Sequence, residues 1–150
     1  MAYRSRETAS HADRDSRSGG IPPAVQDVLR ISVRCDEYAP HAVREAIANV
    51  PDLGWVLGDA MLVASELVTN AVRHSLCGEN ELLTVSISRD GRLRISVLDP
   101  GGSGKEAKIA DRPLDMGGLG LKVVEQLAAS WGSERRIDGY RVWAELELPA

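Results

Sequence analysis

Two runs of alternating apolar and polar residues, joined by a short turn, most constrain the fold of this 150-residue chain. The runs are Leu82–Arg89 and Arg92–Asp99, and Asp90-Gly91 between them predicts a two-residue hairpin turn of the type I′ kind. Strands joined by so short a turn must pair antiparallel. A fold in which parallel strands alternate strictly with helices is therefore a poor fit.

Periodicity along the rest of the chain predicts a mixture of helices and strands. Three further strands are predicted at 28–34, 131–136 and 141–148, and three helices at 39–50, 56–75 and 118–130. The last two strands are also joined by a short turn. We therefore predict an α+β fold, a two-layer α/β sandwich with helices on one face of a mixed, mostly antiparallel sheet.

Length and composition indicate one domain, residues 25–150, after a tail at residues 1–24 that we predict to be disordered because Ser, Arg, Asp and Gly dominate it. A net charge of −4 gives no support for general nucleic-acid binding. We expect no membrane span, because no stretch of about 18 apolar residues occurs. The N-terminus lacks the apolar segment of a secretory signal, so we predict a cytoplasmic protein.

The chain contains two cysteines, Cys35 and Cys77. Their spacing fits neither a metal site nor a disulfide framework. We predict two reduced, partly buried thiols.

The helix at 56–75 carries Glu66 and Asn70 one turn apart on the same face. An apolar stripe is predicted at Leu57, Met61, Ala64, Val68 and Ala71, beside a mostly polar stripe at Asp59, Val63, Glu66, Asn70 and Arg73. The pair Glu66 and Asn70 suits a solvated surface. For an isolated pair this interpretation is favoured, and the alternative is the edge of an active site, where an amide oxygen binds a hard cation and a carboxylate takes a proton.

Two glycine-containing segments have a structural and a functional interpretation each. Gly117–Leu121 opens a predicted helix, where it can serve as a hinge or can offer backbone N–H groups to a phosphate. Asp99-Pro100-Gly101 can form a turn, or its carboxylate can accept a hydrogen bond from an exocyclic amine beside a flat ring. A dinucleotide fingerprint needs a third glycine at position 123, where this chain has Val123. A P-loop needs Ser or Thr after its Gly-Lys pair, but Gly104-Lys105 is followed by Glu106, so this motif is excluded as well.

The order of these three motifs resembles the N, G1 and G2 boxes of the GHKL ATPases, the superfamily with the Bergerat fold. The sequence Glu-Leu-Val-Thr-Asn-Ala-Val-Arg-His at 66–74 is similar to the N box of small bacterial anti-sigma factor serine/threonine kinases. The segment at 118–132 and the strand at 142–146 are also similar to that group. The resemblance covers about Val28 to Leu148 and implies ATP and Mg²⁺ as ligands.

The resemblance also implies a role for each matching residue. Glu66 would be the general base, and Asn70 would ligate Mg²⁺, with Arg73 and His74 near the phosphates. Asp99 would receive the adenine amino group, and Gly101 would let the ring pack. The residues that would contact the phosphates are Gly118, Leu119, Gly120 and Leu121, and residues 102–117 would form a lid. The lid is short, and Ser103 stands where the G1 pattern has its second glycine.

As a function, the resemblance implies an ATP-dependent kinase that phosphorylates a serine of an antagonist protein and binds a sigma factor. Such a protein acts in a partner-switching pathway that controls transcription. The alternative is a non-catalytic ATP-binding module with a protein partner. Relatives often form homodimers, and no feature of this sequence decides whether this chain does.

Overall fold

The computed structural model describes residues 25–74, 77–78, 80–101 and 119–149. Within them the chain forms five strands and three helices. In chain order these are β1 (Gln26–Arg34), α1 (Ala39–Ala48), α2 (Val56–His74), β2 (Leu82–Arg89), β3 (Arg92–Asp99), α3 (Leu119–Leu127), β4 (Ser130–Arg136) and β5 (Gly139–Glu147).

The strands form one sheet in the order β1-β2-β3-β5-β4, and each neighbouring pair runs antiparallel. Strand β3 therefore lies at the centre of the sheet. Helix α2 contacts β3, β5 and both other helices, so it is the central helix of the second layer. The prediction of an α+β sandwich is confirmed.

The core lies between the sheet and the helices, because residues of the central strands alternate between buried and half-buried. The central helix contacts β3 and β5, and its Val63 and Leu67 are fully buried. The sheet side of this core consists of Leu83, Val85, Ile87, Leu93, Ile95, Val97, Val142, Ala144 and Leu146. Aliphatic side chains thus fill the core of a chain that has no Phe.

The β2–β3 turn differs from the predicted type I′ geometry. Gly91 has a positive φ of 75°, but Asp90 does not, whereas a type I′ turn needs positive φ at both central residues. Arg89 pairs with Leu93, so three residues lie between the last paired positions. The hairpin itself is confirmed.

The buried face of α2 is rotated from the predicted stripe. Val63, placed on the polar stripe, is fully buried, whereas Leu57 and Met61 are only partly buried. The sheet below and α1 and α3 on either side cover a broad arc of this helix. Its buried residues are Val56, Ala60, Val63, Ala64, Ser65, Leu67, Val68 and Ala71.

The opposite face of the sheet carries charged and aromatic side chains. The Arg94 guanidinium lies over the Trp143 ring, 4.3 Å from its centroid, and donates to Glu145 Oε2 at 3.0 Å. On the neighbouring strand, a Cβ at Gly132 would lie 3.0 Å from the same ring. The indole therefore rests on the glycine and under the guanidinium.

The tail predicted at residues 1–24 lies outside the described residues. In the part of the chain that the structure does describe, no helix combines the length and apolar character needed to cross a membrane.

Candidate functional site

The three elements that carry the sequence motifs are α2, β3 and α3, and α2 contacts the other two. This helix, which holds Glu66 and Asn70, packs against β3, which ends in Asp99, and against α3, which begins at Leu119. The fold therefore brings together segments that lie about 20 or more residues apart in sequence.

On α2 the polar residues lie beside the buried arc. Glu66 and Asn70 are half-buried on one face, and Arg73, near the end of the helix, is exposed. His74 is the last residue of the helix. Glu66 and Asn70 therefore lie at the margin of the core, where both side chains are partly accessible.

Asp99 is the one acidic side chain that is buried among the described residues, with 3% of its surface exposed. The alternation of β3 explains this burial, because Leu93, Ile95, Val97 and Asp99 all point to the helix side of the sheet. Placing a carboxylate in that row costs desolvation free energy, which its surroundings must offset. A carboxylate at such a position suits the recognition of a hydrogen-bond donor.

The backbone turns sharply just after Asp99. Gly101 has a φ of 63°, in the left-handed region that L side chains rarely adopt. The family resemblance implies a glycine here so that a flat ring can pack, and the structure adds a conformational reason for it.

Gly139, which the sequence motifs do not include, packs against the backbone of Asp99. Its φ is 142°, and a Cβ built on it would overlap the carbonyl oxygen of Asp99 and lie 3.0 Å from the carbonyl carbon. Only glycine at position 139 therefore allows β5 to approach the end of β3 this closely.

Tyr140 is a second residue outside the sequence motifs. It is the cross-strand partner of Asp99 on β5, and Arg135 on β4 is its partner on the other side. Directly opposed residues share a face of the sheet, so carboxylate, phenol and guanidinium form one row across three strands. The Tyr140 hydroxyl bonds the Ser133 hydroxyl at 2.9 Å, which fixes the ring. Predicting this row needs the β3–β5 register, which one sequence does not reveal.

A small cavity of about 50 Å³ opens at this end of the sheet. Its lining combines the turn after β3 with the β4–β5 hairpin. The lining residues are Pro100, Gly101, Arg135, Arg136, Ile137, Gly139 and Tyr140.

The charge of Asp99 also reaches the segment that follows α2. The pKa of Cys77 is raised, mainly by burial, then by the hydrogen bond and charge of Cys35, and further by the charge of Asp99. The exit of α2 therefore lies within electrostatic range of the buried carboxylate.

The predicted phosphate-binding segment is only partly described. Gly118 and the lid at 102–117 lie outside the described residues. Leu119 and Gly120 form the first turn of α3, and Leu121 is buried with 3% of its surface exposed. The first N–H groups of a helix have no partner within it, so this terminus suits an anion.

The residues present fit a nucleotide with its metal. The buried carboxylate suits an amine donor, and the start of α3 suits phosphate. No three His, Cys, Asp or Glu side chains of the described residues converge on a metal site. Asn70 would thus be a single protein ligand, which is compatible with Mg²⁺ because that ion takes much of its coordination from phosphates and water.

Comparison with known proteins gives the family. The family model described as histidine kinase-, DNA gyrase B-, and HSP90-like ATPase matches residues 58–150, which include all the candidate site residues. No curated protein matches the sequence.

The matches among solved structures include the following two. The structure of the RsbU and RsbW domains of Rv1364c from Mycobacterium tuberculosis has a TM-score of 0.59 and 22% identity over 87% of this chain. The match spans only 34% of that longer protein. The histidine kinase domain of the blue-light activated histidine kinase EL346 from Erythrobacter litoralis has a TM-score of 0.45 and 20% identity, over 95% of this chain and 72% of that one.

Proposed function

Because the chain belongs to the histidine kinase-, DNA gyrase B-, and HSP90-like ATPases, we propose that it binds Mg²⁺-ATP between α2, the end of β3 and the start of α3. The observation that carries this proposal is the buried carboxylate of Asp99, set at a strand end beside a left-handed glycine. A buried ionisable group beside a cleft is a candidate for recognition or catalysis.

Asp99 and Tyr140 would form the base end of the site. The carboxylate accepts a hydrogen bond from the exocyclic amine of adenine, and the phenol ring borders the base. The bond between Tyr140 and Ser133 supports this role, because it holds the ring in one orientation beside Asp99.

The phosphate end would lie between α2 and α3. The side chain of Asn70 would hold Mg²⁺, while Arg73 and His74 would lie near the phosphates. The backbone N–H groups of Gly118, Leu119, Gly120 and Leu121 would contact phosphate oxygens. When bound, Mg²⁺-ATP supplies the phosphoryl group and the metal that neutralises its charge.

We further propose that the protein is a serine/threonine kinase with Glu66 as its general base. Glu66 would accept the proton of a serine hydroxyl on a partner protein as that oxygen takes the phosphoryl group. Its half-buried position on the same helix face as Asn70 supports this role, because it places the base one turn from the metal ligand.

The partner is proposed to be an antagonist protein of a sigma factor, and the sigma factor itself a second partner. At 22% identity, the similarity to a structure that contains an RsbW domain supports only the fold. The proposed partners and pathway therefore depend on the sequence resemblance. A homodimer and a cytoplasmic location also stay predictions.

A phosphoryl-transfer assay tests the kinase. Labelled ATP, Mg²⁺ and each candidate antagonist are incubated with the wild type, with Glu66→Gln and with Glu125→Gln, an exposed carboxylate on α3, as control. We expect transfer that Glu66→Gln reduces at least about a hundredfold, while the control retains it. Binding of ATP without transfer to any candidate would instead support the non-catalytic module.

A further inference from the structure

The two cysteines lie next to each other although 42 residues separate them in sequence. Cys35 follows β1, and its N–H donates to the carbonyl oxygen of Glu81 at 3.2 Å. Gly78 and Glu81 are joined by two hydrogen bonds, Gly78 N–H to Glu81 Oε1 at 2.8 Å and Glu81 N–H to the Gly78 carbonyl at 2.9 Å. This turn leads the chain from Cys77 to the strand that pairs with β1.

The geometry suits a covalent link between the two residues. The Cys35 Sγ donates to the carbonyl oxygen of Cys77 at 3.7 Å. That oxygen is two bonds from the Cys77 Cα, so the Cys35 sulfur lies at most about 6 Å from this Cα. The two side chains are therefore close enough for rotamer changes to bring the sulfurs toward each other.

We propose that Cys35 and Cys77 form a reversible disulfide when the protein meets hydrogen peroxide. This oxidation site is independent of the proposed function. The link would join the end of β1 to the segment that leaves α2, so it would enclose both α1 and α2 in one covalent loop.

The reaction balances with hydrogen peroxide as the oxidant. The Cys35 sulfur, after loss of its proton, attacks a peroxide oxygen; the S–O bond forms, the O–O bond breaks, and hydroxide leaves as water once protonated. The Cys77 sulfur then attacks the Cys35 sulfur; the S–S bond forms, the S–O bond breaks, and the departing hydroxide takes the Cys77 proton. Two thiols and one peroxide give one disulfide and two waters.

Burial and the neighbouring Cys35 raise the pKa of Cys77, which agrees with the closeness of the two thiols. Cys35 is only 6% exposed, which favours an oxidant as small as peroxide over a bulky one.

The test measures the rate and product of oxidation in the full chain. Native protein and protein unfolded in urea are treated with peroxide, quenched with iodoacetamide and examined by intact mass and peptide mapping. We expect an intramolecular Cys35–Cys77 link that forms at least about tenfold faster in the native chain, because the fold holds the two thiols together. Cys77→Ser, at the half-buried position, and Cys35→Ala, at the buried position, should each abolish the intramolecular link.

A second readout reports on the native state. The oxidised wild type should melt about 5 °C or more above its reduced form, and dithiothreitol should reverse the shift. Amide exchange in the last turn of α2 should slow on oxidation. Sulfinic acid at either cysteine without a link, a link between two chains, or equal rates in native and unfolded protein would overturn the proposal.

Discussion

Tyr140 on β5 lies directly opposite Asp99 on β3, and the two side chains share the helix face of the sheet. The pair joins a buried carboxylate to an aromatic ring whose hydroxyl is already bonded to Ser133. A hydrogen-bond acceptor and a flat apolar surface are the two features that recognition of a purine base requires. Four testable consequences follow from this arrangement and the surrounding fold.

Replacing Asp99 with Asn should weaken ATP binding. The substitution keeps the shape of the side chain but removes its charge, and a hydrogen bond to a charged group contributes about 1.5–3 kcal/mol. We therefore expect the Kd for ATP to rise roughly 10- to 100-fold in calorimetric titration. Asp90→Asn, in the exposed β2–β3 turn, is the matched control and should bind like the wild type. Equal affinity in both variants would exclude Asp99 from the site.

Substitutions of Tyr140 should separate its ring from its hydroxyl. Tyr140→Phe loses the bond to Ser133, so we expect a loss of about 1 kcal/mol in unfolding free energy and nearly unchanged ATP affinity. Tyr140→Ala also loses the ring, and removal of a stacking aromatic costs about 1–3 kcal/mol of binding. Tyr38→Ala removes a ring that is 70% exposed and serves as control. Unaltered affinity in a folded Tyr140→Ala protein would show that the ring does not border the base.

Two glycine-to-alanine substitutions should have opposite effects on stability. Gly139→Ala places a Cβ against the backbone of Asp99 at a φ that disfavours it, so we expect a loss above about 3 kcal/mol in urea unfolding. Gly58 lies in α2, where a Cβ added to it would have nothing within 4 Å. Alanine there should stabilise the protein by about 0.5–1 kcal/mol. A mild effect of Gly139→Ala would contradict the close approach of β5 to β3.

Arg94 and Trp143 should be energetically coupled on the open face of the sheet. Their stacking distance of 4.3 Å predicts a coupling energy of about 0.5–1 kcal/mol, since the site is partly exposed. A double-mutant cycle of Arg94→Met and Trp143→Leu measures it by chemical unfolding. The coupling should persist in high salt better than the neighbouring Arg92–Glu147 ion pair, which is more exposed. Additive effects of the two substitutions would show that the stacking contributes nothing.

The sequence predicts the elements of this fold well where local chemistry decides them. Leu82–Arg89 and Arg92–Asp99 have the predicted bounds because strict alternation and a glycine turn determine them. The predicted turn type was wrong, since the pairing of Arg89 with Leu93 makes the loop one residue longer. The buried face of α2 differs from the predicted stripe because α1 and α3 also pack against this helix, and local periodicity does not reveal those contacts.

The residues of the candidate site also divide into those that the sequence could reveal and those that only the structure reveals. Asp99 could be found from the sequence because it ends an apolar alternating run and precedes a glycine-containing turn. Tyr140, Arg135 and Gly139 could not, because their importance depends on which strand pairs with β3 and in what register. Long-range pairing of this kind leaves no trace in local periodicity.

The most direct test of the central claim is calorimetric titration of the full chain with ATP, in Mg²⁺ and in EDTA, for the wild type, Asn70→Ala and Asp99→Asn. We expect saturable binding of one ATP per chain to the wild type, tighter in Mg²⁺. Asn70→Ala should lose the metal-dependent part of the affinity, and Asp99→Asn should bind weakly under both conditions. Absence of ATP binding by the folded wild type, with and without Mg²⁺, would contradict the account.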